Sequence, residues 1–130
     1  MITMLKVSKE NPQRSEDHGP VAEWTGSGDG YTVNFVLFRT EMDHTPLFKG
    51  LPGGACQCPH WGYVLKGRIS WRFGENVEVV EAGDAFYAPP GHVPTVAEGT
   101  EWVQFSPTDE LRVTEEVIMR NLAAMNGGTR

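Results

Sequence analysis

The sequence predicts an all-β protein with a single domain, and three observations support this. The chain has 130 residues, which is enough for one hydrophobic core but too few for two ordinary domains. Its 15 glycines and 9 prolines are spread along most of the chain, as is typical of short elements joined by tight turns. Between the turns lie short runs of aromatic and β-branched residues, which favour strands.

Strands are expected at six places, each bounded by turn-forming residues. They are residues 31–40, 61–66, 68–73, 77–81, 85–88 and 101–105. Gly67 separates two of them and is expected to act as a hinge. Ile69, Trp71 and Phe73 alternate with charged or polar residues, so their side chains should point inward. Residues 89–94 contain three prolines, which predicts a rigid loop because proline removes the backbone donor that a ladder needs.

The two ends of the chain follow other patterns. Residues 1–30 are polar and turn-rich, and we expect an N-terminal arm there. The sequence predicts a helix over 107–126 and a tail at 127–130, because Ser106 is a good cap and Pro107 suits the first helical position. An apolar stripe at helical spacing should face the protein. It consists of Leu111, Thr114, Ile118, Leu122 and Met125.

Composition excludes several classes of partner. Eleven Lys and Arg against seventeen Asp and Glu give a net charge of -6, the wrong sign for nucleic acid or an anionic membrane surface. No run of about 18 apolar residues occurs, and the N-terminal residues lack the apolar core of a signal peptide. We therefore expect a cytoplasmic protein that contacts neither nucleic acid nor membrane.

Residues 31–106 contain two groups of residues at a regular spacing. Six residues separate His60 from Gly67, and Gly83, Pro89 and Gly91 follow further along the chain. The first spacing resembles the end of the first motif of the cupin superfamily, and the second resembles the glycine and proline frame of its second motif. The resemblance implies a small jelly-roll barrel, or double-stranded β-helix, over residues 31–106.

The metal ligands of that family are not kept. His60 stands where the family carries its glutamate, and Cys56 and Gly54 stand where it carries two histidines. Pro94 replaces the histidine that closes the second motif. Because function depends on the site and not on the barrel, the resemblance implies the fold and leaves the chemistry open.

A different set of metal ligands is suggested by alternation along a strand. In an extended chain Cys56, Cys58 and His60 would share one face, directed into the barrel. The cupin resemblance places His92 in the loop opposite, where it would be a fourth ligand. Thiolates and imidazoles suit zinc or another soft divalent ion better than magnesium or calcium.

Two other interpretations of these residues remain open. The cysteines are too close in sequence for an unstrained disulfide, and buried free cysteines often serve only as small packing residues. Alternatively, one cysteine and His60 form a nucleophile and base pair. No catalytic residue can be assigned from the sequence, and whether the protein is an enzyme is left open.

Function therefore reduces to two hypotheses. The first is a small-molecule-binding cupin, with or without a zinc-like ion, that acts on or senses a small organic ligand. Aromatic residues of the barrel would line its pocket; these are Tyr63, Trp71, Phe73, Tyr87 and Trp102. The second is a metal-free cupin that serves as a binding or assembly module. In either case we expect a homodimer, because a short barrel exposes sheet edges, with Val21 and Trp24 of the arm at the interface.

Overall fold

The computed structural model describes residues 4–127, which form ten strands, two short 3₁₀ turns and one helix. The strands are β1 (Arg14–Asp17), β2 (Val21–Gly28), β3 (Tyr31–Phe38), β4 (Met42–Asp43), β5 (His60–Lys66), β6 (Arg68–Phe73), β7 (Asn76–Glu81), β8 (Ala85–Ala88), β9 (Val93–Val96) and β10 (Glu101–Pro107). The 3₁₀ turns span Thr45–Phe48 and Pro52–Gly54, and helix α1 spans Thr108–Gly127. The all-β fold class is confirmed.

The strands form two antiparallel sheets. One has six strands in the order β1-β2-β3-β10-β5-β8, and the other has four in the order β4-β9-β6-β7. The chain passes from the first sheet to the second at Gly67, whose φ is +82°. A Cβ at this position would lie 2.7 Å from the Cα of Thr100. Glycine is therefore required at the predicted hinge for two reasons: the positive φ disfavours other residues, and Thr100 leaves no room for a side chain.

Two apolar clusters hold the fold together. The first lies between the sheets and includes the buried Val64, Ile69, Trp71, Phe86 and Trp102. Ile69 and Trp71 point inward as the alternation predicted. The second cluster lies beneath helix α1 and joins Leu111 and Val117 to Leu47, Phe48, Leu51, Cys56, Cys58 and Val93. Helix α1 thus covers the part of the barrel that contains both cysteines.

The segment predicted as an arm contains two strands of the larger sheet. β2 pairs with β3 along its whole length, from Val21 opposite Phe38 to Gly28 opposite Tyr31. Asp29 and Gly30 connect the strands with positive φ angles of 54° and 83°, as a tight hairpin turn demands. This Asp-Gly pair is a hairpin signal that the prediction overlooked, so the barrel begins well before residue 31.

The loop before β9 and the start of helix α1 differ from the sequence prediction. Val93 and Pro94 belong to β9, with Pro94 opposite Trp71, so the predicted loop at 89–94 is too long. Pro94 lacks an amide hydrogen, but its carbonyl accepts a hydrogen bond from the backbone N–H of His44 at 3.0 Å. Helix α1 starts at Thr108, since Pro107 still pairs within β10.

The end of the helix also differs from the prediction. Gly127, predicted as the first residue of the tail, is still helical, and residues 128–130 of the predicted tail lie outside the described residues. Met125 is 50% exposed and does not belong to the buried stripe, whereas Val117 does. Within residues 4–127, no helix combines the length and apolar character needed to cross a membrane.

Candidate metal centre

Three side chains named by the sequence meet inside the barrel. The donor atoms of Cys56, His60 and His92 all lie within 4.8 Å of one another. Each side chain is buried, with relative exposures of 1%, 5% and 1%. The imidazole rings of His60 and His92 are 4.8 Å apart between centroids. A thiol and two imidazoles therefore face a common point that is shielded from solvent.

Backbone hydrogen bonds hold Cys56 and His92 next to each other. The N–H of Cys56 donates to the carbonyl of His92 at 2.9 Å, and the N–H of Gly91 donates to the carbonyl of Cys56 at 2.7 Å. This isolated antiparallel bridge joins the segment before β5 to the loop between β8 and β9. His60 opens β5 opposite Ala88. The three donors thus come from chain segments that the sheet itself holds together.

Hydrogen bonds at Nδ1 orient the imidazole rings of His60 and His92. The Nδ1–H of His92 donates to the carbonyl of Pro89 at 2.8 Å. Because a carbonyl only accepts, Nδ1 of His92 carries a hydrogen, and in the neutral ring Nε2 carries the lone pair. His60 Nδ1 lies 2.7 Å from Ser106 Oγ, and its Nε2 lies 3.8 Å from Cys56 Sγ. Metal-binding histidines usually have such a partner on the nitrogen that does not bind the ion.

Burial determines the protonation of the three groups. It lowers the pKa of His60 to about 3, with a smaller contribution from His92. It also lowers the pKa of His92, against the opposing effect of the Pro89 carbonyl. Both imidazoles are therefore neutral at pH 7, which is the form that binds a metal.

The thiol of Cys56 is protonated in the same environment. Burial raises its pKa, although the hydroxyl of Thr114, 3.3 Å away on α1, opposes the change. A nucleophilic cysteine needs a lowered pKa, so the geometry does not favour the nucleophile and base interpretation. A metal ion would displace the thiol proton, because the thiolate is the ligand.

Cys58 is not part of this cluster. Its sulfur lies 3.6 Å from the carbonyl of Pro59 and 3.9 Å from that of Pro107, and burial raises its pKa to about 12. Residues 55–59 follow a 3₁₀ turn and do not form a strand, so the alternation that predicted a shared face does not hold for Cys58. Cys58 instead packs beneath helix α1, as the packing interpretation expected.

An unsatisfied donor lies beside the cluster. The indole Nε1 of Trp71 is buried and has no hydrogen-bond partner within residues 4–127. The Trp71 ring packs edge-on against the His92 ring, with 4.9 Å between the ring centroids, and its centroid lies 6.4 Å from that of His60. A buried donor without an acceptor is unfavourable. A water or an oxygen of a small molecule next to these imidazoles would satisfy it.

The predicted pocket residues divide into two groups. Trp71, Phe73 and Tyr87 help to line a cavity of about 230 Å³, together with Glu78, Val80, Phe86, Ala88 and Pro89. Tyr63 is 44% exposed and Trp102 is buried in the core, where its Nε1–H donates to Gln104. Neither Tyr63 nor Trp102 lines this cavity.

Sequence reasoning missed two residues that contact the cluster. Ser106 was taken only as a helix cap and Thr114 only as part of an apolar stripe, yet each places a hydroxyl against a candidate ligand. They lie 46 and 58 residues away from those ligands in the chain. No local pattern could have indicated these contacts.

Comparison with known proteins agrees with this fold. The cupin domain family matches residues 56–101, a span that includes Cys56, His60 and His92. An RmlC-like cupin from Shewanella frigidimarina NCIMB 400 is 21% identical over 79% of this chain and 95% of its own, with a TM-score of 0.55. Residues 56–101 therefore match the cupin domain family, the described fold is that of a cupin, and the resemblance seen in the glycine and proline spacing is confirmed.

Two further solved structures carry different names. KdgF from Halomonas sp. is 17% identical and covers 81% of this chain and 94% of its own, with a TM-score of 0.55. The polyketide cyclase RemF from Streptomyces resistomycificus is 14% identical and covers 81% and 80%, also with a TM-score of 0.55. No curated protein matches the sequence. At these identities the similarity shows the fold alone.

Proposed function

We propose that this protein is a metal-dependent cupin that acts on or senses a small organic ligand. Cys56, His60 and His92 would hold the ion. The observation that carries the proposal is the convergence of three buried donors within 4.8 Å, with Nδ1 of both imidazoles hydrogen-bonded so that the second nitrogen of each ring is left for an ion. Cys56 and His60 stand at two ligand positions of the family but differ from its usual residues there, and His92 lies two residues before Pro94, which stands at the position of the closing histidine.

The donor set favours zinc or another soft divalent ion. One thiolate and two imidazoles match the ligand preferences of zinc, whereas magnesium and calcium prefer oxygen. Three protein ligands leave one tetrahedral position free, which is the arrangement of catalytic and not of structural zinc sites. An ion held in this way supplies Lewis-acid chemistry and activates a bound water.

The neighbouring cavity suggests the chemistry of the ligand. Its walls are mainly apolar, and Trp71 and Phe73 both contact the edge or face of the His92 ring. The indole N–H of Trp71 is a donor that lacks an acceptor. We therefore propose a ligand with an apolar body and one acceptor oxygen, which Trp71 would orient towards the two imidazoles.

Metal analysis separates this proposal from a metal-free binding module. The protein, purified without a metal-affinity tag and incubated with zinc, should contain close to one equivalent of ion. His60→Ala and His92→Ala should each lose most of it, because removal of one ligand from three is severe. His44→Asn serves as a matched control, since His44 is also buried but lies outside the cluster. No bound ion after incubation with zinc, iron and copper would favour the metal-free module instead.

We also propose that the protein forms a homodimer through the outer face of the six-stranded sheet. Trp61 is 63% exposed and lies beside Phe105 on β10 and Tyr87 on β8, both also exposed. A second copy is the partner we propose, since the same exposed aromatic patch on two molecules can be buried by pairing with itself. Val21 instead packs against the core, and Lys9 lies over the Trp24 ring.

Light scattering tests the interface. Trp61→Glu and Phe105→Glu should each shift the mass from dimer towards monomer, because a buried unpaired charge opposes association. Val79→Glu is the control, since Val79 is equally exposed but lies on β7 of the other sheet. A monomeric wild-type protein at high concentration would contradict the proposal.

A further inference from the structure

A second cavity is formed beside the four-stranded sheet. Its volume is about 480 Å³, which lies in the range of roughly 300–1,000 Å³ that small-molecule sites occupy. Its walls come from residues 45–55, from the end of β6 and from the segment around the start of β9. Among the described residues, none lines both this cavity and the one beside Trp71, and none of Cys56, His60 and His92 lines either. The second cavity is therefore a separate candidate site.

This cavity contains two positive charges. Lys49 and Arg72 line it, and no Asp or Glu among residues 4–127 does. Neither cation forms an ion pair within the described part of the chain. The whole chain has a net charge of -6, so a cavity whose charged lining residues are both cations differs from the average of the molecule. A local concentration of positive charge attracts anions.

The fold directs the side chain of Arg72 into this cavity. Arg72 on β6 is the cross-strand partner of Val93 on β9, so both side chains leave the same face of the sheet, and both line the cavity. The neighbouring Trp71 points to the opposite face, between the two sheets. A guanidinium N–H of Arg72 donates to Oγ1 of Thr45 at 2.9 Å, and that hydroxyl donates to Oδ1 of Asp43 at 2.7 Å. A neutral hydroxyl therefore holds the guanidinium in place, without direct contact between Arg72 and the carboxylate.

Side-chain hydrogen bonds hold the wall that carries Lys49. Asn121 on α1 donates through Nδ2 to the backbone carbonyl of Lys49 at 2.9 Å. Gln57 donates through Nε2 to the carbonyls of Pro52 and Ala55 at 3.1 and 3.2 Å. The backbone of this wall is thus held in position by groups outside it, which is what a preformed binding site requires.

We propose that this cavity binds a small organic anion whose phosphate or carboxylate group pairs with Arg72 and Lys49. A guanidinium presents its N–H donors in a planar fork that matches both kinds of oxyanion, and an ammonium adds a second positive charge. Pro46, Ala55 and Val93 supply apolar wall for the organic body of the ligand. The proposal goes beyond the metal centre and does not depend on it.

Titration calorimetry of the full chain with phenyl phosphate, benzoate and benzamide tests the site. The protein is first stripped of metal with phenanthroline, a neutral chelator, because EDTA is itself an anion and a bound metal ion could hold phosphate. At least one of the two anions should bind with a stoichiometry near one, and added salt should weaken its binding. Benzamide carries the same ring without a charge and should not bind measurably. The anion that binds more tightly identifies the group that the site prefers.

Substitutions of the two cations locate the binding. Lys49→Gln and Arg72→Gln should each weaken binding of that anion at least about tenfold, since each removes a charge-assisted contact. Lys49 is exposed, so its replacement should not prevent folding. The control is Arg68→Gln, which removes the same charge from an exposed position on the same strand, outside the cavity. It should bind the anion as the wild type does.

Three results would overturn the proposal. The first is absence of binding by both anions at millimolar concentration. The second is binding of benzamide as tight as that of the anions, which would show that the charge is not recognised. The third is an equal loss of affinity in Lys49→Gln, Arg72→Gln and Arg68→Gln, because it would trace the binding to overall charge and not to this cavity.

Discussion

The buried imidazole of His44 should make folding stability depend on pH. The ring is 7% exposed and packs against Phe38 and Phe48. Its Nδ1 lies 3.1 Å from the carbonyl of Pro94, which can only accept, so Nδ1 carries a hydrogen. Burial lowers the pKa of His44 from 6.5 to about 4, against smaller opposing effects of Pro94 and Asp43.

The sign and size of the effect follow from these values. Between pH 6.5 and 4 the unfolded chain binds a proton at His44 that the folded protein does not, so acidification favours unfolding. At about 1.4 kcal/mol per pKa unit, His44 alone should remove about 3 kcal/mol of stability by pH 4. The loss begins below pH 6.5 and is complete near pH 4.

Urea denaturation from pH 7 to pH 4 measures this dependence. A chelator should be present, since an ion on His60 and His92 would alter their own titration. His44→Asn retains an amide donor for Pro94 but cannot be protonated in this range. Its stability should therefore fall less steeply than that of the wild type, by about 1.4 kcal/mol per pH unit between pH 4.5 and 6. Parallel curves for the two proteins would refute the reasoning.

Two other substitutions test the packing and the histidine geometry. Gly62→Ala should destabilise the protein by about 1–3 kcal/mol in urea denaturation, because a Cβ there would lie 2.8 Å from the carbonyl of Val103 and overlap the ring of Phe86; unchanged stability would contradict this packing. Ser106→Ala should weaken zinc binding about 10- to 100-fold in a chelator competition assay, because it removes the partner of His60 Nδ1. An affinity equal to that of the wild type would show that Ser106 does not position His60.

The barrel could be predicted from sequence because its turns need particular residues. Gly67 must adopt a positive φ against Thr100, and few residues other than glycine do so readily. The alternation of side chains along β5 also predicts which way Tyr63 faces. Since His60 faces inward, Tyr63 must face outward on β5, and the structure places it there.

The candidate site was less predictable because its contacts depend on distant parts of the chain. Strand alternation predicted that Cys56, Cys58 and His60 share a face, but residues 55–59 form no strand, so the approach of Cys56 to His60 does not follow from alternation. The bridge between Cys56 and His92 joins residues 36 apart, and only the cupin resemblance suggested that they meet. The hydroxyls of Ser106 and Thr114 reach the site from β10 and α1, and their roles follow from tertiary packing alone.

Cobalt substitution tests the central claim most directly, because it reports on the sulfur ligand itself. Cobalt bound through a thiolate produces a sulfur-to-metal charge-transfer band in the near ultraviolet. The wild type and Cys58→Ser should both show this band at one equivalent of cobalt, whereas Cys56→Ser should lose it. The two variants make the same change in cysteines that are each 1% exposed, so they control for loss of a buried thiol. A band that persists in Cys56→Ser, or one that disappears in Cys58→Ser, would contradict the site formed by Cys56, His60 and His92.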